Sequence, residues 1–149
     1  MNLNNLNKKI LILAIVVLVV LFAAPAVYFS VFKGHPDYKK LKAEYTLESK
    51  QLYDAFKKDS KTSSTMYNGK MIELNGAITK VEASDTMVTL VFAFTQGMFG
   101  DEGIRCKVLP SDIGKAKLIK AGAVINIKGL CQGFNDTDVV LEKCSLIQK

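Results

Sequence analysis

Lys70–Thr79 reads KMIELNGAIT. Ile72, Leu74, Gly76 and Ile78 alternate with Met71, Glu73, Asn75 and Thr79. That period of two sends one set of side chains to a buried sheet face and the other set outward, so the stretch is predicted as a strand. Gly76 inside it predicts a bulge or sharp bend, because a strand glycine packs no side chain and marks a special backbone position.

Downstream, Ala83-Ser84-Asp85 makes a turn. Thr86–Phe94 (TMVTLVFAF) is so dense in apolar and β-branched residues that both of its faces read as buried. Thr95–Gly103 (TQGMFGDEG) holds three Gly and reads as a mobile loop. Ile104, Cys106 and Val108 alternate with Arg105 and Lys107, the pattern of a half-buried strand. A short helix is predicted from Pro110-Ser111-Asp112 to Lys120, with Ser111 as its cap and Ala121-Gly122 as its stop. Val124–Ile127 leads through Gly129 to a turn at Asn135-Asp136. Val139–Leu141 then runs on to Cys144, Leu146 and Ile147. Upstream, Thr46 caps a predicted helix, with Glu48 in its first turn, a Leu52/Phe56 stripe beside Tyr53, and Lys57-Lys58 in its last turn. Asp59–Thr65 (DSKTSST) ends that helix or opens a loop.

The expected fold is therefore mainly β. Five strands, with a preceding helix and one short helix between the third and fourth, follow the order of an OB-fold, a small, partly open Greek-key barrel. A bent first strand suits it, because that strand must serve both sheets.

The run Leu52, Phe56, Asp59, Tyr67, Lys70, Gly76 resembles the opening of the tRNA_anti-like OB-fold domain. Cys106, Gly122, Val124, Gly129, Cys131, Gly133, Val139, Leu141 and Cys144 resemble its closing strands. The resemblance covers about residues 44–148. It implies an OB-fold of the kind found in exported or membrane-attached bacterial proteins of unknown function. The family name records similarity to anticodon-binding domains. One departure is that Thr62–Met66 stands where the family often has Ala.

Ahead of the domain, residues 10–32 read ILILAIVVLVVLFAAPAVYFSVF, without a charge, between Lys8-Lys9 and Lys33. At about 1.5 Å per residue such a helix spans the roughly 30 Å hydrocarbon core. The favoured reading of Ile10–Phe32 is an uncleaved signal anchor. The alternative is a cleaved signal peptide, with Ala24-Pro25-Ala26 near a small-x-small site. The organisation expected is a tail over 1–9, a transmembrane helix over 10–32, a juxtamembrane linker over 33–43 and the OB domain over 44–149. A short tail ahead of a long domain favours the cytoplasmic membrane, a single pass and an extracytoplasmic domain, although the lysines on the two flanks give no clear inside signal.

The net charge of +6 is uneven. Residues 1–69 carry ten Lys against five acids, whereas residues 70–149 carry nine Lys and Arg105 against nine acids. Nucleic-acid binders concentrate cations on the binding domain itself, so this distribution argues against that role. On an OB face the candidates for ligand contact are Phe99 in the Gly-rich loop and Arg105 and Lys107 on one strand face, each also readable as an ordinary solvated residue. Phe92 and Phe94 read as core. Arg105 is the sole Arg and there is no Trp, both of which count against phosphate clamping and base stacking.

His35 is the sole His and precedes the domain. No nucleophile-elbow or phosphate-loop motif occurs, and no Cys/His spacing suits zinc. The expectation is thus no enzyme, no metal and no cofactor. Cys106, Cys131 and Cys144 allow one disulfide at most, Cys131–Cys144 or Cys106–Cys144, with three reduced buried thiols as the other reading. Simple register would set Cys131 opposite about Val140. The expected function is a membrane-anchored, non-catalytic binding module for a protein or oligosaccharide partner. The alternative is a nucleic-acid-binding OB protein tethered on the cytoplasmic side.

Overall fold

The computed structural model describes residues 37–98 and 100–147. The apolar run 10–32, the tail before it and Phe99 lie outside the described residues. Asp37 is the first residue of the compact unit that holds the strands among the described residues.

Seven strands form one sheet: β1 Tyr45–Glu48, β2 Met71–Ala77, β3 Lys80–Ala83, β4 Val88–Gly97, β5 Gly100–Val108, β6 Val124–Phe134 and β7 Val139–Ile147. Their order is β1-β2-β6-β7-β5-β4-β3. β1 lies parallel to β2, β5 parallel to β7, and the remaining pairs are antiparallel. The fold is mainly β with few helices and is consistent with an OB-like fold.

The expected bent first strand is present, but the bend falls two residues beyond Gly76. Ile78 N–H donates to Ala123 O at 2.9 Å, on the β6 side. Thr79 N–H donates to Val91 O at 2.8 Å, on the β4 side. The chain changes partner between two adjacent residues, so β2 and β3 are halves of one bent strand. Gly76 instead makes room for a helix: a Cβ there would lie 2.1 Å from Ser49 Oγ.

Two helices lie between β1 and β2 where one helix was expected ahead of the strands. Helix α1 runs Ser49–Lys58, and helix α2 runs Ser60–Tyr67. Thr46 caps neither of them, because it lies in β1, outside the five strands expected. Asp59–Thr65 is helical rather than loop. Asp59 Oδ1 accepts the Thr62 N–H at 3.0 Å and Oδ2 accepts the Thr62 hydroxyl, an N-cap that starts a second helix immediately after the first. Ser63, buried, donates its hydroxyl to Ala55 O at 2.8 Å and ties the two helices together.

Thr95–Gly103 is likewise not a loop. β4 and β5 continue as a hairpin with Gly97 opposite Gly100. Gly103 is required by close approach rather than by mobility, since a Cβ there would lie 1.8 Å from Phe92 O. The expected 110–120 helix is a single 3-10 turn, Pro110–Asp112, followed by α3, Ile113–Ala116. Ser111 does not cap it. Asp112, expected at the opening of that helix, is buried and accepts from Lys39 Nζ and from the Leu146 N–H at 3.2 Å.

The core lies on the inner face of the sheet and under α1. Leu52, Phe56, Ile72, Leu74, Leu90, Phe92, Ile104, Ile127 and Leu141 are fully buried. Burial of each such side chain contributes about 1.5–3 kcal/mol. Leu52 and Phe56, four apart on α1, face the barrel as the helical period requires.

Candidate functional site

The outer face of β4 and β5 is where an OB-like domain offers a ligand surface. Register places Arg105 beside Val91 and Lys107 beside Thr89, while Cys106 pairs with Leu90 on the inner face. Lys80 and Glu82 on β3 share that outer face, opposite Val91 and Thr89. The structure thus brings Arg105 and Lys107 together, as their spacing suggests. Phe92 is core, and Phe94 packs against Tyr53 with ring centroids 5.3 Å apart.

Arg105 is committed to two carboxylates. Its Nε donates to Asp138 Oδ2 at 2.9 Å, and an Nη donates to Glu82 Oε2 at 3.0 Å. Asp138 is buried and its other oxygen accepts the Gly103 N–H at 3.0 Å. The turn after β6 aims Asp138: Asn135 Oδ1 accepts the Asp138 N–H at 2.7 Å, and Asp136 takes a left-handed conformation at φ 73°. Glu82 also holds Lys80 at 3.1 Å. Asp138 beside it drives the Arg105 guanidinium above its ordinary pKa. Burial pulls the Glu82 carboxyl upward, but the bonds from Lys80 and Arg105 outweigh it and leave its pKa below the ordinary 4.5. The sequence reading missed Glu82 and Asp138. The signal was available in the alternation of β3 and in an acid closing an Asn-Asp turn, but neither names Arg105 as partner.

Lys107 is exposed, and among the described residues it has no carboxylate within ion-pair distance. A second polar group ties α1 to the hairpin. Lys57 Nζ donates to Glu102 Oε2 at 2.9 Å, and Tyr53 OH lies 2.9 Å from Thr95 Oγ1 and 3.2 Å from Glu102 Oε2. The Lys57 bond holds the Glu102 carboxyl below its ordinary value, and Glu102 in turn raises Lys57.

The three cysteines are buried free thiols. Cys131 pairs with Leu141, not Val140, because the β6–β7 ladder shifts register between Cys131 and Gly133. Cys144 lies against Cys106, and burial followed by that neighbour pushes its thiol well up. Burial pushes Cys131 up to about 11. Among the described residues no cluster of three His, Cys, Asp or Glu side chains is placed to hold a metal ion. No helix among them is long and apolar enough to cross a membrane.

No curated protein matches the sequence. A crystal structure from Klebsiella pneumoniae subsp. pneumoniae MGH 78578, named as a presumptive nucleic acid-binding lipoprotein, is similar at 16% identity and TM-score 0.52, over 69% of this chain and 91% of that one. This likeness supports the fold. Aspartyl tRNA synthetase from Entamoeba histolytica aligns at 16% identity and TM-score 0.45, over 78% of this chain and 23% of its own. The tRNA_anti-like profile matches residues 1–146, and the chain belongs to the tRNA_anti-like family.

Proposed function

We propose that the chain is a membrane-tethered, non-catalytic binding module whose five-stranded Greek-key barrel, with β2 and β3 as one bent strand, presents its β4–β5 face to a protein segment on the extracytoplasmic side of the cytoplasmic membrane. The run 10–32 is its uncleaved anchor, on the strength of length, apolarity and flanking lysines. The observation that carries the choice of ligand is the neutralised face. Asp138 and Glu82 occupy Arg105, and Glu82 also holds Lys80. Nucleic-acid affinity rests on cations free to replace counterions, and Lys107 alone supplies little of it. Catalysis has no support either: the domain has no His, and Glu82 and Glu102, held low by lysine and arginine, are poorly suited to move protons near neutral pH.

The second reading, nucleic-acid binding, draws on the family name, on the name of the Klebsiella protein and on exposed Lys107. One titration separates the two. Full-length chain in lipid nanodiscs is mixed with fluorescent single-stranded RNA at low and physiological salt. Dissociation constants no tighter than about 10⁻⁴ M at physiological salt are expected, the weak end of non-specific binding. Glu82→Gln, which releases Lys80 and loosens Arg105, is expected to strengthen binding. Tight, salt-dependent binding that Lys107→Ala abolishes and Glu82→Gln leaves unchanged would establish the second reading instead.

A further inference from the structure

The described residues carry a second surface, far along β6 from the turn that aims Asp138. Leu118 is 81% exposed and Val124 68% exposed, unusual values for a protruding Leu and Val placed side by side. Together with Ile119, Ile125 and Ile147 they line a shallow apolar cleft of about 470 Å³. Lys115, Leu146 and Ile147 form the wall this cleft shares with a polar cleft in which Lys39, Lys42 and Lys128 stand with two acids, Glu73 and the Lys39-bound Asp112. Lys117 and Lys120 are exposed on the same β5–β6 connection. Among the described residues, Lys42, Lys115, Lys117 and Lys120 have no carboxylate within ion-pair distance. Apolar side chains standing out beside the unpaired Lys42, Lys115, Lys117 and Lys120 match the boundary between acyl chains and anionic headgroups.

The chain itself says what lies nearby. Lys128 Nζ donates to Lys39 O at 3.0 Å and to Leu41 O at 2.6 Å, and Lys39 is bound to buried Asp112. Lys143 Nζ donates to Tyr38 OH at 2.8 Å and sits 4.2 Å over its ring. The start of the domain is therefore fastened beside the lysine cleft. Only residues 33–36 separate the apolar run from Asp37, so no more than roughly 18 Å of extended chain lies between their ends.

We propose that this surface, Leu118 and Val124 with Lys115, Lys117 and Lys42 around them, docks the domain on a bilayer carrying anionic phospholipid. The proposal rests on the tethered reading only for proximity. Its chemistry is apolar insertion plus headgroup attraction. The chain has no Trp, so the indole of Leu118→Trp is a sole reporter. Gln132→Trp, exposed and eight residues along β6 from Val124, about 26 Å away, is the control. Both full-length variants are placed in nanodiscs of phosphatidylcholine alone or mixed with phosphatidylglycerol, with acyl chains brominated near the headgroup. Quenching of the Leu118→Trp reporter in anionic discs only, with the Gln132→Trp control bright, is expected. Lys115→Gln and Lys117→Gln should each lower the docking equilibrium constant roughly fivefold. A reporter left bright in a chain that stays in anionic discs through an alkaline wash would overturn docking and keep the tether. A reporter quenched by added vesicles in a chain that the wash strips off would keep docking and sink the tether. Equal quenching in neutral discs would overturn the anionic-lipid assignment. Shielding of the reporter from an aqueous quencher that rises with protein concentration and not with anionic lipid would give the surface to a second copy and overturn the proposal.

Discussion

Asp138 does two jobs at one position. It satisfies a buried backbone N–H on β5 and neutralises the domain's sole arginine. Asp138→Ala removes both, stranding the Gly103 N–H. Because Arg105 remains about a third exposed, its loss of partner is partly screened by water. A destabilisation of about 2–3 kcal/mol is expected in urea unfolding, with Asp138→Asn milder. Glu82 adds a pH dependence of stated sign. Its folded pKa lies below 4.5, so its contribution is fully present above that value and is lost as pH falls through the lower folded value. Glu82→Gln should flatten the stability profile below about pH 4.5 relative to the parent. The cysteines supply a third outcome. All three are fully buried, and Cys131 is pushed up to about 11 by burial, so native thiols should resist a maleimide near neutral pH and react once urea opens the barrel.

Among the elements, α2 is the one its own composition favours least. Its Ser/Thr-rich sequence has weak helix propensity, so the helix depends on the Asp59 cap and on packing against α1. Asp59→Ala should cost about 1 kcal/mol, read as a lower unfolding midpoint at unchanged slope. Gly103→Ala should cost more, since the added Cβ meets backbone, which cannot swing aside. The strands of the ring were legible because half-buried strands write a period of two. α2 was illegible as a helix because composition outweighed the Asp59-x-x-Thr62 capping signal. The 95–103 hairpin was misread because glycines that mark close backbone contact look the same as glycines that mark a loop. The partner change at Ile78–Thr79 coincides with a break in the alternation: the inward set runs through Ile78 and resumes at Val81, so Lys80 and Glu82 face outward, but a slip of one position does not say which strand becomes the new neighbour. Arg105 and Lys107 were legible as one face. What neutralises Arg105 was not, because Asp138 reaches it across 33 positions of sequence.

At the scale of the whole molecule, membership in the tRNA_anti-like family and a seven-stranded, mainly β sheet are established, and the tether, side and ligand are proposals built on them. They hang together through charge. On the β4–β5 face Arg105 and Lys80 are held by carboxylates, while unpaired lysines gather beside Leu118, close to where the domain begins. A cytoplasmic RNA binder would want the opposite distribution. The most direct test is the side of the membrane on which the domain lies. The native thiols are buried, so Thr65→Cys, on the exposed surface of α2, gives one accessible thiol in the full chain. Cells expressing it are treated with a membrane-impermeant maleimide before and after lysis. Labelling of Thr65→Cys in intact cells, with the parent chain unlabelled, is the predicted result. Labelling that appears only after lysis would place the domain in the cytoplasm and contradict the account.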